Sequence, residues 1–196
     1  MLDLPCILFA GGKSSRMGQD KSLLPFGDYP TLTQYQYERL KQFFADVYVS
    51  AKSRDKFNVH LRVIEDPETS DFAPTAGFVA AFQALQHDRI FVLSVDAPFV
   101  EEEVIRALLA ADAPHYDAVI AKTASGTHPM VGIYHRSLLG ELQRMLSQGD
   151  HRLGKLLSSS KTCYVSFENE EHFTNLNHPN EYEEAVSRYN DENKTK

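Results

Sequence analysis

The chain of 196 residues is 42% hydrophobic and 24% charged, a composition suited to one globular domain with a sizeable core and not to a disordered chain. Its formal net charge of -7 argues against a general affinity for nucleic acid or an anionic membrane, so any anionic ligand must be met by locally gathered cations. Its two cysteines, Cys6 and Cys163, make neither a metal-ligand spacing nor a disulfide framework, which fits a reducing compartment.

The chain opens on Met1-Leu2-Asp3-Leu4-Pro5, with an acid where a secretory signal would carry basic residues. No apolar run approaches the roughly 18 residues that a membrane-spanning helix needs, so a cytoplasmic protein without membrane contact is expected. The first apolar run, Cys6 to Ala10, is strand-sized. It leads directly into Ala10-Gly11-Gly12-Lys13-Ser14-Ser15-Arg16-Met17-Gly18-Gln19-Asp20-Lys21, where three glycines and three cations share twelve residues. Glycine lets backbone N–H groups turn toward a phosphate, and Lys13, Arg16 and Lys21 supply the charge that the acidic chain lacks elsewhere. The full Walker A pattern and the Gly-x-Gly-x-x-Gly fingerprint are both absent, so this is neither a standard P-loop nor a dinucleotide site.

Helical spacing follows in Leu32, Tyr35, Leu40, Phe43 and Phe44, and then two strand-sized runs, Val47 to Ala51 and Leu61 to Ile64. Asp66-Pro67 comes next, a pair that is also ordinary turn chemistry. Gly77, in Pro74-Thr75-Ala76-Gly77, allows a close approach at the start of the next helix, whose apolar positions are Phe78, Phe82 and Leu85. The run Ile90 to Val95 ends at Asp96, a carboxylate at the mouth of a predicted central strand, although Asp96-Ala97-Pro98 also suits a plain turn. Glu101, Glu102 and Glu103 read as the start of a helix carrying Val104, Ile105, Leu108 and Leu109, since carboxylates favour a helix N-terminus.

Ala118 to Ala121 and Val131 to Tyr134 are further strands, and His128, before Pro129, is biased toward an extended backbone. Helices are expected over Ser137 to Ser147 and Asn180 to Tyr189, with strands and loops between. Residues 190–196 are all polar and read as a frayed tail, leaving one domain over residues 1–189. Strands alternating with helices imply an α/β fold: a three-layer, Rossmann-like, doubly wound and mainly parallel sheet, with ligands at the carboxyl ends of its strands.

The order Gly11-Gly12-x-Ser14-x-Arg16-Met17-Gly18-x-Asp20-Lys21 resembles the signature loop of nucleotidyltransferases with a glycosyltransferase-A type fold. Asp66, Pro74-Thr75-Ala76-Gly77 and Ser94-Val95-Asp96-Ala97-Pro98-Phe99 follow in the order that superfamily uses. Within it, His128-Pro129-Met130-Val131-Gly132-Ile133-Tyr134, Gly149-Asp150-x-Arg152 and Phe173-x-Asn175-x-Asn177-x-Pro179 resemble the molybdenum cofactor guanylyltransferases. The resemblance covers nearly the whole chain. It implies transfer of GMP from GTP to the terminal phosphate of molybdenum-molybdopterin, yielding a guanine dinucleotide cofactor and pyrophosphate. The nucleotide would bind in the N-terminal half and the acceptor in the C-terminal half. Proteins that deliver and receive the cofactor are the implied partners.

The resemblance also distributes roles. Arg16, Lys21 and Asp96 are the catalytic candidates, the two cations neutralising the triphosphate and Asp96 holding Mg²⁺, for which one carboxylate suffices. Phe9, Ala10, Gly11, Gly12, Lys21, Ser50, Asp66, Gly77 and Asp96 are the nucleotide-binding positions. His128, Arg152, Asn175 and Asn177 are placed beside the acceptor, with Asn177 near the metal. The acceptor is a phosphate monoester whose second pKa is about 6, so attack needs no strong general base, and most of the scattered histidines should be surface or packing residues. Three readings stay open beside this one: a cytidylyltransferase, a sugar-phosphate nucleotidyltransferase on the same scaffold, and a nucleotide-binding module without turnover.

Overall fold

The computed structural model describes residues 1–11, 20–58, 60–67 and 73–194, with side chains through Asp191. Its sheet has seven strands, β1 (Cys6–Phe9), β2 (Val47–Ala51), β3 (Val63–Glu65), β4 (Arg89–Ser94), β5 (Ala118–Thr123), β6 (Gly126–His135) and β7 (Thr162–Ser166), in the order β3-β2-β1-β4-β6-β5-β7. The first four run parallel, β5 and β7 are parallel to one another, and β6 alone pairs antiparallel with both neighbours. The mixed, mostly parallel sheet flanked by helices is the expected α/β class.

Among the described residues six α-helices cover the two faces: α1 (Leu32–Leu40), α2 (Pro74–Ala84), α3 (Glu102–Ala111), α4 (Leu139–Ser147), α5 (Leu153–Ser158) and α6 (Pro179–Lys194). Local chemistry starts several of them. Thr31 caps α1 by accepting from Gln34 N, α2 opens on proline, whose missing N–H is no loss in a first turn, and α3 carries Glu102 and Glu103 in its first turn as anticipated. Alternation along β1 then divides the interior. Cys6 and Leu8 face a core that includes residues of α1, α3 and α6, while Ile7 and Phe9 face one that includes residues of α2, α4 and α5.

Three elements differ from the sequence expectation. Between Ser147 and Asn180, where strands and loops are expected, the strand β7 does extend the sheet beyond β5, but Leu153, Leu156 and Leu157 form one buried stripe on a short helix, α5. The tail expected to fray from residue 190 instead continues α6 to Lys194, as no proline or glycine follows Pro179 to end the helix. The third strand begins two residues later than Leu61 to Ile64 and ends one later, its ladder opening with the Val49 N–H on the Arg62 carbonyl and the pairing of Val49 with Val63.

The long strand β6 is irregular where it passes the ligand face. Ile120 pairs with Gly132 but Ala121 pairs with His128, so Pro129, Met130 and Val131 are accommodated as a bulge on that side. Proline suits the bulge because it has no N–H for a ladder, and Tyr134 Oη donates to the Pro129 carbonyl at 2.6 Å. Gly132 closes the bulge: a Cβ there would lie 2.4 Å from the Val119 carbonyl oxygen, which is sheet backbone and cannot move aside. Gly132→Ala is expected to destabilise the fold by about 1–3 kcal/mol, read as a lower urea midpoint at unchanged slope. An unchanged midpoint would show that the bulge relaxes freely.

Candidate active site

Strand order reverses around β1, with β2 on one side and β4 on the other, and the crevice at the carboxyl ends of these strands is where a doubly wound sheet binds ligands. The chain leaves β1 through Ala10, whose N–H donates to the Ser50 carbonyl at 3.0 Å, and reaches Gly11. Gly12, Lys13 and Arg16 lie outside the described residues.

A first cavity lies above the β1–β2 side, lined by Phe9, Gly11, Lys52, Asp66, Ala73, Pro74, Ser94 and Met130. Among the described residues that line it, the acidic group is Asp66, just beyond β3. Ser50, fully buried on β2, donates from Oγ to Asp66 Oδ1 at 2.7 Å and so sets the carboxylate's orientation. Burial pushes the Asp66 pKa above its ordinary value, while the Ser50 hydroxyl and the charges of Lys52 and Lys56 pull it back. Gly77 makes the packing possible, since a Cβ would lie 2.4 Å from Ser50 Oγ, 2.6 Å from the Phe9 ring and 3.2 Å from Asp66 Oδ1. The close approach at Gly77 is thus one of protein side chains to the backbone of α2.

A second cavity lies on the β4–β6 side, lined by Ser94, Asp96, Thr127, His128, Pro129, Met130, Val131, Phe173, Asn175 and Asn177. Ser94 and Met130 belong to both cavities, so the two are neighbours across a shared wall. Asp96 stands in the turn after β4, its carbonyl accepting from Leu176 N at 3.0 Å. Lys21 Nζ pairs with Asp96 Oδ2 at 2.7 Å and makes a longer 3.5 Å contact with Asn177 Oδ1. The backbone N–H groups of Asn177 and His178 both donate to Glu181 Oε2, at 2.6 and 2.8 Å, which presents the Asn177 side chain from the start of α6.

His128 does line the second cavity, and it also packs structurally. Its ring stacks on Phe173 at 4.5 Å with a 22° interplanar angle, and Nε2 is 3.0 Å from Thr123 Oγ1. Burial lowers its pKa, against the opposing pull of Glu170, so the ring is held toward its neutral form. Arg152 is not brought to either cavity. Its guanidinium forks onto Asp150 at 2.8 Å through both Nε and Nη2, and its side chain is 73% exposed. Its neighbour His151 turns inward instead, with Nδ1 2.6 Å from Thr75 Oγ1 on α2. Lys52, Thr127 and Glu181 are site residues that no sequence pattern singles out; an isolated lysine or glutamate carries no signal of what it will face.

Among the described residues no group of three or more His, Cys, Asp or Glu side chains is placed to hold a metal. Asp96 with the Asn177 amide offers a small all-oxygen donor set, which fits a hard cation that takes most of its ligands from phosphate and water.

Residues 6–163 match the MobA-like NTP transferase domain family. A molybdenum cofactor guanylyltransferase of Campylobacter jejuni is 40% identical over 187 residues, 95% of this chain and 97% of the relative. One from Helicobacter pylori is 35% identical over 189 residues, 94% and 92% of the two chains. In three dimensions the chain is similar to the molybdopterin-guanine dinucleotide biosynthesis protein A of Archaeoglobus fulgidus, with a TM-score of 0.79 and 20% identity over 96% of this chain and all of that one. A family model over residues 6–163 and a relative 40% identical over 95% of the chain show that it belongs to the molybdenum cofactor guanylyltransferase family of MobA-like nucleotidyltransferases.

Proposed function

We propose that the protein transfers GMP from GTP to the terminal phosphate of molybdenum-molybdopterin, releasing pyrophosphate, with Mg²⁺ held by Asp96 and Asn177. The observation that carries this reading is the pair of cavities sharing Ser94 and Met130, the second of them lined by Asp96 and Asn177, with Lys21 Nζ set against both of those side chains. A transferase that joins two substrates needs two pockets meeting where the bond forms.

In this mechanism the base occupies the first cavity between Phe9 and Met130, and Asp66 reads its edge. An ionised carboxylate only accepts hydrogen bonds, so it pairs with guanine N1–H and the 2-amino group. Cytosine presents one donor and two acceptors along its pairing edge and would face the same carboxylate with repulsion. Lys21 neutralises the phosphates and the charge growing on the departing pyrophosphate. Mg²⁺ bound at Asp96 would supply Lewis-acid stabilisation to the phosphate oxygens. The acceptor phosphate enters from the second cavity and attacks the α-phosphorus, and neutral His128 on Phe173 forms a flat wall beside it. Free thiols at buried Cys6 and half-buried Cys163 suit a reducing cytoplasm, and the product is proposed to pass to proteins that use the cofactor.

Pyrophosphate release with Mg²⁺ and molybdenum-loaded molybdopterin should be supported by GTP and not by CTP, ATP or UTP. Preference for CTP would overturn the guanine assignment, and nucleotide binding without release would favour a module that has lost turnover. Asp96→Asn should lower kcat by about a hundredfold or more with an unchanged circular dichroism spectrum, and retained activity would remove Asp96 from the metal site. Asp66 titrates in a predictable direction. Burial favours its neutral form, so the ionised group costs the folded state stability at neutral pH, a cost that vanishes once pH falls into the ordinary carboxylate range. Asp66→Asn should therefore raise the urea midpoint at neutral pH, with the gain fading in acid, while it weakens GTP binding. A lower midpoint at neutral pH would contradict the burial argument.

A further inference from the structure

Lys56 lines neither cavity, yet its ammonium is committed to the two ends of the glycine-rich segment. Nζ donates to the Ala10 carbonyl at 2.7 Å and pairs with Asp20 Oδ2 at 2.8 Å, with only 18% of the lysine side chain exposed. Ala10 is the residue before Gly11, and Asp20 directly precedes Lys21. One nitrogen atom therefore joins the exit from β1 to the residue from which Lys21 departs.

Both sides of this link are anchored. On the lysine side, the turn Arg54–Lys56 is capped by Ser53, whose Oγ accepts from Asp55 N at 3.2 Å. Arg54 N donates to Glu65 Oε1 at 2.8 Å, and Phe57 is buried in the core immediately after Lys56. On the other side, Asp20 Oδ1 accepts from Ser22 N at 3.1 Å and from Ser22 Oγ at 2.7 Å, and the Ser22 carbonyl accepts from Thr33 Oγ1 on α1 at 2.7 Å. The chain of contacts from Lys56 through Asp20 and Ser22 to α1 fixes the origin and direction from which Lys21 reaches Asp96.

We infer that Lys56 is a positioning residue for nucleotidyl transfer, a strut that holds the start of the glycine-rich segment and the base of Lys21 in one arrangement before the nucleotide arrives. Solvent reaches the Asp20 side of this pair, 36% exposed, and screening there limits what the pair adds to stability. Its geometric effect is larger, because small displacements of a phosphate-facing cation reduce transfer steeply.

The inference rests on the nucleotidyl-transfer reading, and the experiment separates the two. Steady-state kinetics would compare wild type, Lys56→Met, Lys56→Arg, Asp20→Asn and the double variant Lys56→Met/Asp20→Asn, alongside amide hydrogen exchange over residues 20–24. Asp20→Asn keeps an oxygen for Ser22 while removing the charge that meets Lys56. Lys56→Met is expected to raise the nucleotide KM about tenfold with the acceptor KM within about twofold of wild type, and Lys56→Arg to recover most of the loss. The double variant should be little worse than either single one, since the two groups act as one link. An unchanged nucleotide KM, equal rises in both KM values, or additive losses would overturn the inference. Wild-type protein that releases no pyrophosphate from any of the four triphosphates overturns the transfer reading instead. Lys56 is then judged on exchange alone: faster exchange in Lys56→Met, restored in Lys56→Arg, supports the strut, and equal exchange rejects it.

Discussion

Strand β1 is buried on both faces, and the rest of the architecture follows from that constraint. Its four residues feed two separate cores, so helices must lie on each side of the sheet and other strands must pair with both of its edges. With β2 on one edge and β4 on the other, the connections leave in opposite directions, and the gap between them opens at Ala10 and Gly11. The carboxyl ends of β1, β2 and β4 bring Phe9, Ser50 and Ser94 to one level. Asp66 and Asp96 stand just beyond that level, on the sides of the two cavities.

The electrostatics of the crevice differ from those of the surface around it. An acidic chain gathers Lys21, Lys52 and Lys56 beside Asp20, Asp66 and Asp96, so that cation and carboxylate are held in alternation where an anionic ligand would enter. Asp150 shows the contrasting case. Hydrogen bonds from Arg152 hold its carboxyl well below the usual range at the surface, the ordinary outcome of an ion pair. Asp66 shifts the other way because burial outweighs its partners, and a carboxylate kept under that tension in a cavity is the kind that a ligand can relieve.

Much of this was legible in the sequence, and the exceptions share a cause. Asp96 could be placed from its position at the end of an apolar run, and Gly77 from the need for a close approach at a helix start, because both are dictated by local geometry. The short helix α5 gave too few turns for a periodic signal, and β7, expected only as an unplaced strand, has a partly exposed side-chain pattern that does not mark its bounds. Arg152 was placed beside the acceptor by resemblance and by the chemistry of its guanidinium, whereas its partner here, Asp150, lies two residues away. Lys56 and Glu181 gave no local sign of their contacts, since a charge at a surface turn or a helix start acquires meaning only from the chain packed against it.

Helix α6 bears on more than the second cavity. Glu181 holds the backbone of Asn177 and His178, Tyr182 Oη donates to the Pro25 carbonyl, and Tyr189 packs its ring against Phe26 and Tyr35. The segment just after Lys21 and the residue opposite it are thus braced by the same late element. During synthesis the sheet through β6 is available well before that brace has left the ribosome. A nascent chain would have the lining of the first cavity in place while the helix that holds Asn177 at the second was still missing, so the two cavities are completed at different times.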